Sequence, residues 1–360
     1  MKMMSFLRIH ICAILAALLL CISILASAAE IPANQTVLEK TDDSITIVDQ
    51  MGRTVTVPLP VERIMASDYR LMDILLSIGA RDMFIGVDKN FIDRMFYFGL
   101  DTPAVSVHGH DINYEYILKL DPDLVIVKPG TNAEEISNKL LGVPVIVVSF
   151  DKQDVIPAIE MLGEVLDKED KANKLIEWIN KYDNIVEDRV KNIDPKDMPT
   201  FFYGSVRGWN AYKLNAADGC GGINIASDLP GSSTEVSPEW LIAEDPDYIF
   251  LDDMRSDMSG WGRTEEDVRA NLENLTEEEV EEGFTDLKAI SDLKATKNNH
   301  VYIIHRDLVS EPRWIVGHIC IAKWLHPDLF KDLSPDEIHK EYFREFHGME
   351  LNGTFIYPSP

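Results

Sequence analysis

Three arginines in this chain stand beside large aromatic residues. Arg70 follows Tyr69, Arg207 precedes Trp209 and Tyr212, and Arg313 precedes Trp314. A guanidinium is a planar fork of donors that suits carboxylates and other anions. Aromatic rings add broad apolar faces for a large organic ligand. These seven side chains therefore have the chemistry to hold an anionic chelate or a macrocycle. A plainer reading also fits them. The arginines would be surface residues paired with nearby acids, as Arg313 with Glu311, and the aromatics would be core, as Trp314 against a sheet. His108 and His110, in "HGH", form a second candidate. Imidazoles suit transition metals, but two do not make a site without a third ligand, for which His305 is the candidate. The favoured reading is polar loop histidines that line a cleft mouth. No metal site and no resident cofactor are expected.

Catalytic signatures are missing. The chain has no H-E-x-x-H, G-x-S-x-G, C-x-x-C or phosphate-loop pattern. "GCGGIN" approaches a dinucleotide fingerprint but puts Asn224 where the last glycine belongs. The expectation is a protein that is not an enzyme. A net charge of −27 argues against nucleic acid as the partner, because phosphate backbones demand clustered Lys and Arg.

The elements that must position these residues follow a simple order. Residues 1–28 have a charged start, an apolar run from Ile11 to Leu25 and a small-residue end, "ASA", which reads as a secretory signal peptide, or alternatively a retained membrane anchor. Residues 29–43 read as a flexible leader. "ITIVDQMGRTVTVP" is two β-rich runs around a glycine turn, a hairpin. From 44 to 150 short apolar runs alternate with helical patterns. Runs such as "LVIV" and "VIVV" suit parallel strands buried on both faces. Residues 151–195 are helical in pattern, with a long helix between two α/β regions. The alternation restarts at 196–332, where "AADGCGGINIAS" is expected to open a helix and 255–282 forms an acidic insert. Residues 333–360 read as a helix and a tail. Outside the signal, Cys220 and Cys320 are the only cysteines; an exported chain makes them a candidate disulfide, with two separate buried thiols as the alternative. Sequons at Asn34, Asn274 and Asn352 would permit glycosylation.

One phrase is written twice, "NYEYILKLDPDLVIV" from Asn113 and "SPEWLIAEDPDYIFL" from Ser237. Each copy has an N-cap residue, a glutamate in the first turn (Glu115, Glu239), an Asp-Pro stop and an apolar strand. Each is a helix–strand step in its own lobe. In open α/β sheets, ligands bind at the carboxyl ends of the strands, and this is where the arginine and aromatic loops fall.

These phrases, in order and with "VDQMGRTVTVPLPVERIM", "CGGIN", "NNHVYII" and "EPRWIVG", resemble the solute-binding proteins of ABC importers for iron chelates and vitamin B12, the class III periplasmic binding proteins. The resemblance covers nearly all of the chain beyond the signal. It implies an α/β fold of two Rossmann-like lobes joined by a single long helix, with the ligand cleft between them. It also implies that Glu115 and Glu239, one on each lobe, dock to arginines of a membrane permease. The expected function is capture of an iron(III) chelate or siderophore by an exported monomer, with cobalamin, haem or a molybdate-type oxyanion as alternatives. An exported enzyme and an envelope interaction protein are the remaining classes.

Overall fold

The computed structural model describes residues 35–88, 98–105, 112–205, 209–213, 217, 219–253, 291–309, 313–351 and 353–357, all within one compact unit. The expected signal peptide, the acidic insert and the asparagines of the three sequons lie outside the described residues, as do His108, His110 and Arg207.

Strands β1 (Thr36–Lys40), β2 (Ser44–Val48) and β3 (Thr54–Pro58) form an antiparallel sheet in that order. The β2–β3 pair is the expected hairpin. Asp49 shapes its turn, with Oδ1 accepting from the backbone N–H of Met51 and Arg53 and Oδ2 from Arg53 Nε. The expected flexible leader is corrected over β1. This segment pairs with β2, and Gln35 anchors it, its side chain donating to the Asp154 carbonyl and accepting from Ser149 N–H.

The N-terminal lobe follows. Its strands β4 (Ile64–Ala66), β5 (Phe84–Asp88), β6 (Ala104–Val105), β7 (Leu124–Val127) and β8 (Val145–Val147) are all parallel, in the order β6-β5-β4-β7-β8. Every residue of β4, β7 and β8 is buried, as their unbroken apolar runs require. Helices α1 (Tyr69–Ser77), α2 (Tyr114–Lys119) and α3 (Ala133–Lys139) connect them.

The connector is two helices, α4 (Val155–Val165) and α5 (Glu169–Val190). Helix α5 has 22 residues, about 33 Å at 1.5 Å per residue. It buries Ala172, Leu175, Ile176, Ile179, Tyr182 and Val186, the stripe its three- and four-residue spacing predicts.

The C-terminal lobe has a mixed sheet in the order β12-β10-β9-β13-β14-β15, with β11 beside β9. Strands β9 (Thr200–Ser205), β13 (Tyr248–Asp253) and β14 (Val301–His305) run parallel; β10 (Asn210–Tyr212) is antiparallel to β9, β12 (Ser233–Glu235) antiparallel to β10, and β15 (Ile356–Tyr357) antiparallel to β14. The expected helix at "GCGGIN" is instead turns and β11 (Ile223–Asn224), which extends β9 along its edge. Helices α6 (Pro238–Glu244), α7 (Lys294–Lys297), α8 (Trp314–Leu325) and α9 (Pro335–Tyr342) complete the described lobe. The tail does more than trail, since β15 adds to this sheet.

The repeated phrase has the same structure in both lobes. Asn113 and Ser237 cap α2 and α6, accepting from Tyr116 N–H and Trp240 N–H. Asp121 and Asp245 end the helices at φ 50° and 41°, in the left-handed region where Asp is among the tolerated residues. After the proline, Asp123 Oδ2 accepts from Glu62 and Arg63 N–H just before β4, and Asp247 Oδ2 from Thr200 N–H and hydroxyl at β9. So each Asp-Pro-Asp stops its helix and latches the next strand to its neighbour. Burial pushes the Asp247 carboxyl up, but Thr200 and Lys294 outweigh it and hold it below the usual range.

Candidate ligand cleft and docking face

Strands β4, β7 and β8 are neighbours, so the loops at their carboxyl ends meet. Asp68 caps α1 there, with its side chain 1% exposed. Its carboxylate accepts from Arg70 Nε at 2.9 Å and Nη2 at 3.1 Å, and Lys128 Nζ stands 3.2 Å from Oδ2. Burial pushes the Asp68 carboxyl up, yet Arg70 and Lys128 more than offset it and hold it below the ordinary range. One buried anion thus orients two cations. The Arg70 guanidinium lies 4.1 Å from the centre of the Phe150 ring and 5.3 Å from that of Tyr69. This arrangement presents fixed donors against aromatic faces, which suits an anion in an organic shell. Desolvation and then Asp154 push the Asp151 carboxyl above the usual range, with Arg70 pulling the other way.

Lys128 also lines a hollow of about 550 Å³ that runs past Tyr114, Gly130 and Asn132 to Lys139. Lys152, beyond β8, places its ammonium 4.6 Å from the centre of the Trp314 ring and 3.8 Å from Asp183. Sequence reasoning missed Lys128 and Lys152. The signal was there, since "LVIVK" and "VVSFDK" are strand ends of the same kind as "SDYR".

The structure places the predicted residues unevenly. Tyr69 and Arg70 stand together at the strand ends, half-buried. In the other lobe Trp209 precedes β10 and Tyr212 ends it, both half-buried, with the Tyr212 ring 5.8 Å from that of Tyr203. Trp209 Nε1 is buried without a hydrogen-bond partner among the described residues. Arg313 is corrected. It is 1% exposed and bonds Asp73 and Asp307, so its fork is spent inside the protein. Trp314 is likewise interior at 3% exposed, edge-on to His318 and covered by Lys152.

The candidate disulfide is also corrected. Neither thiol is in a disulfide, and both are fully buried. Cys220 Sγ sits 3.1 Å from His318 Nδ1, while His318 Nε2 lies 3.5 Å from Asp183, so the thiol is engaged with the α8 histidine rather than with Cys320. Burial pushes the Cys320 thiol well up. His305 is 4% exposed and accepts from Asp307 N–H through Nδ1. Among the described residues no group of three or more His, Cys, Asp or Glu is arranged to hold a metal.

Glu115 and Glu239 are both exposed, in the first turns of α2 and α6. Among the described residues no helix is long and apolar enough to cross a membrane.

Comparison with known proteins matches this fold. The periplasmic binding protein family pattern matches residues 64–308. The molybdate-binding protein MolA of Haemophilus influenzae is 21% identical over 339 residues, spanning 84% of this chain and 90% of its own. The petrobactin-binding protein YclQ of Bacillus subtilis is 23% identical over 295 residues, spanning 74% of this chain and 84% of its own. The solved structure of the TroA-like periplasmic binding protein FepB from Veillonella parvula superposes with a TM-score of 0.72 at 23% identity, over 88% of this chain and 99% of that one. The chain belongs to the periplasmic binding protein family, whose members serve ABC transporters as extracytoplasmic substrate-binding components.

Proposed function

We propose that this protein, exported by the signal peptide at residues 1–28, captures an anionic iron(III) chelate between its lobes as a monomer. It hands the chelate to a membrane permease that it contacts through Glu115 and Glu239. The observation that carries the reading is the cationic–aromatic group at the ends of β4, β7 and β8, where Arg70 and Lys128 are held on Asp68 beside Tyr69 and Phe150. A chelate with carboxylate or catecholate oxygens offers the negative charge these donors select, and its organic shell suits the rings. The relative YclQ, named for petrobactin, supports a chelate. MolA, named for molybdate, supports a second reading in which the same cations hold a bare oxyanion.

The test is the visible absorption and intact native mass of protein purified from its host. A ferric chelate gives a charge-transfer band and the chelate's added mass. A corrinoid or haem spectrum replaces the chelate with cobalamin or haem. A colourless protein carrying the mass of molybdate favours the oxyanion.

A further inference from the structure

The two copies of the repeated helix share more than a glutamate. One turn after Glu115 stands Leu118, 37% exposed, and one turn after Glu239 stands Ile242, 48% exposed. Residues three apart lie on one helical face, so each glutamate has a large apolar neighbour on the side that faces solvent. The helix rotation is set by the residue between them. Ile117 is 0% and Leu241 1% exposed, each buried in the core of its own lobe, which turns the glutamate and the apolar residue outward together. Exposed apolar residues scattered singly need no explanation. These two are not scattered, because they occupy the same position in two units with the same cap, the same helix end and the same strand latch.

We infer that Leu118 and Ile242 are the apolar half of a two-point docking face for the permease of the transporter. The inference rests on the proposed docking role of Glu115 and Glu239. The partner fitted by this face presents the same chemistry twice, a cationic side chain beside an apolar patch, as two related permease subunits would. An exposed ion pair alone is weak in water. An apolar contact one turn away excludes water from it and adds buried area, the arrangement of an interface core. The net charge of −27 makes a bare acidic patch a poor mark of specificity on this protein, and the apolar neighbour supplies one.

The test uses the full-length chain in host cells that lack their own copy. A photo-crosslinking residue is placed at position 118, at 242 and, as a control, at Leu141, which is 82% exposed outside the repeat. Adducts from 118 and 242 with an ABC permease, identified by mass spectrometry, and none from 141 are expected. In parallel, Leu118→Gln with Ile242→Gln is expected to lower radio-iron uptake from ferric citrate about tenfold, with unchanged melting temperature and unchanged chelate affinity. No permease adduct from either position, or adducts with a second copy of this chain, overturns the inference. Full uptake by the Leu118→Gln/Ile242→Gln variant does the same if Glu115→Ala with Glu239→Ala abolishes uptake, and then the glutamate reading survives alone. If neither double variant affects uptake, both readings fall. If no iron uptake depends on the protein, the chelate reading fails and the adducts alone decide this one.

Discussion

Arg313 Nε donates to Asp73 Oδ2 at 2.9 Å, and the two side chains are 1% and 2% exposed. The pair joins α1 of the N-terminal lobe to the start of α8 in the other. Asp73 Oδ1 also accepts from Tyr342 and faces His347 Nε2 at 3.0 Å, while Arg313 reaches Asp307 and His339. A buried polar seam therefore fastens the lobes beside the connecting helices. Removing one member of such a pair leaves an uncompensated charge.

Arg313→Met is accordingly expected to cost about 3–5 kcal/mol of stability, since Asp73 and Asp307 lose their shared cation. Chemical denaturation measures it. Ligand affinity under native conditions is expected to stay unchanged, which separates a seam residue from a cleft residue.

His339 gives the seam a pH dependence. Burial, then the Arg313 charge, push its imidazole well below the ordinary 6.5, with Asp73 and Asp307 pulling back and His305 adding a small further push downward. The folded protein keeps it neutral, with Nε2 facing the Arg313 donor at 3.3 Å. An unfolded chain takes up the proton below about pH 6.5. Stability from this group is present above that pH and is lost as pH falls below it, with a slope of up to about 1.4 kcal/mol per pH unit. Melting temperatures between about pH 7 and pH 5 should fall for the native chain and flatten in His339→Gln. A second loss is expected below about pH 4, where Asp68 and Asp247, both held below the usual range, must protonate.

Much of the frame was legible because it is written in local patterns. Parallel strands, the α5 stripe, both caps and both Asp-Pro stops are read within windows of fifteen residues or so. What failed depends on long-range contact. Arg313 lies next to Glu311 in sequence, but its partner Asp73 is 240 residues away. Cys220 meets His318, which sits two positions from the expected partner Cys320 on the same helix. The first strand looked like a leader because part of its anchoring is remote: Gln35, just before it, bonds Ser149 and Asp154 beyond β8.

The cysteines make a simple prediction. In the chain without residues 1–28, thiol titration should find two reactive groups in denaturant, and adding a reductant should not move the melting temperature. A single loss of both thiols with a reductant-sensitive melting point would restore the disulfide.

Arg70→Gln and Lys128→Gln are each expected to weaken binding of an anionic chelate about tenfold or more, because each removes a positioned charge from the strand-end group. The effect should shrink as ionic strength rises. Calorimetric titration at two salt concentrations checks both.

The central claim is saturable capture without chemistry. Titration of the purified chain with ferric citrate and a set of ferric siderophores, followed by tryptophan fluorescence and by mass analysis of the recovered ligand, tests it most directly. One-to-one binding of an anionic chelate, returned unchanged, is the predicted result. Absence of saturable binding to every chelate, or recovery of a chemically altered one, would contradict it.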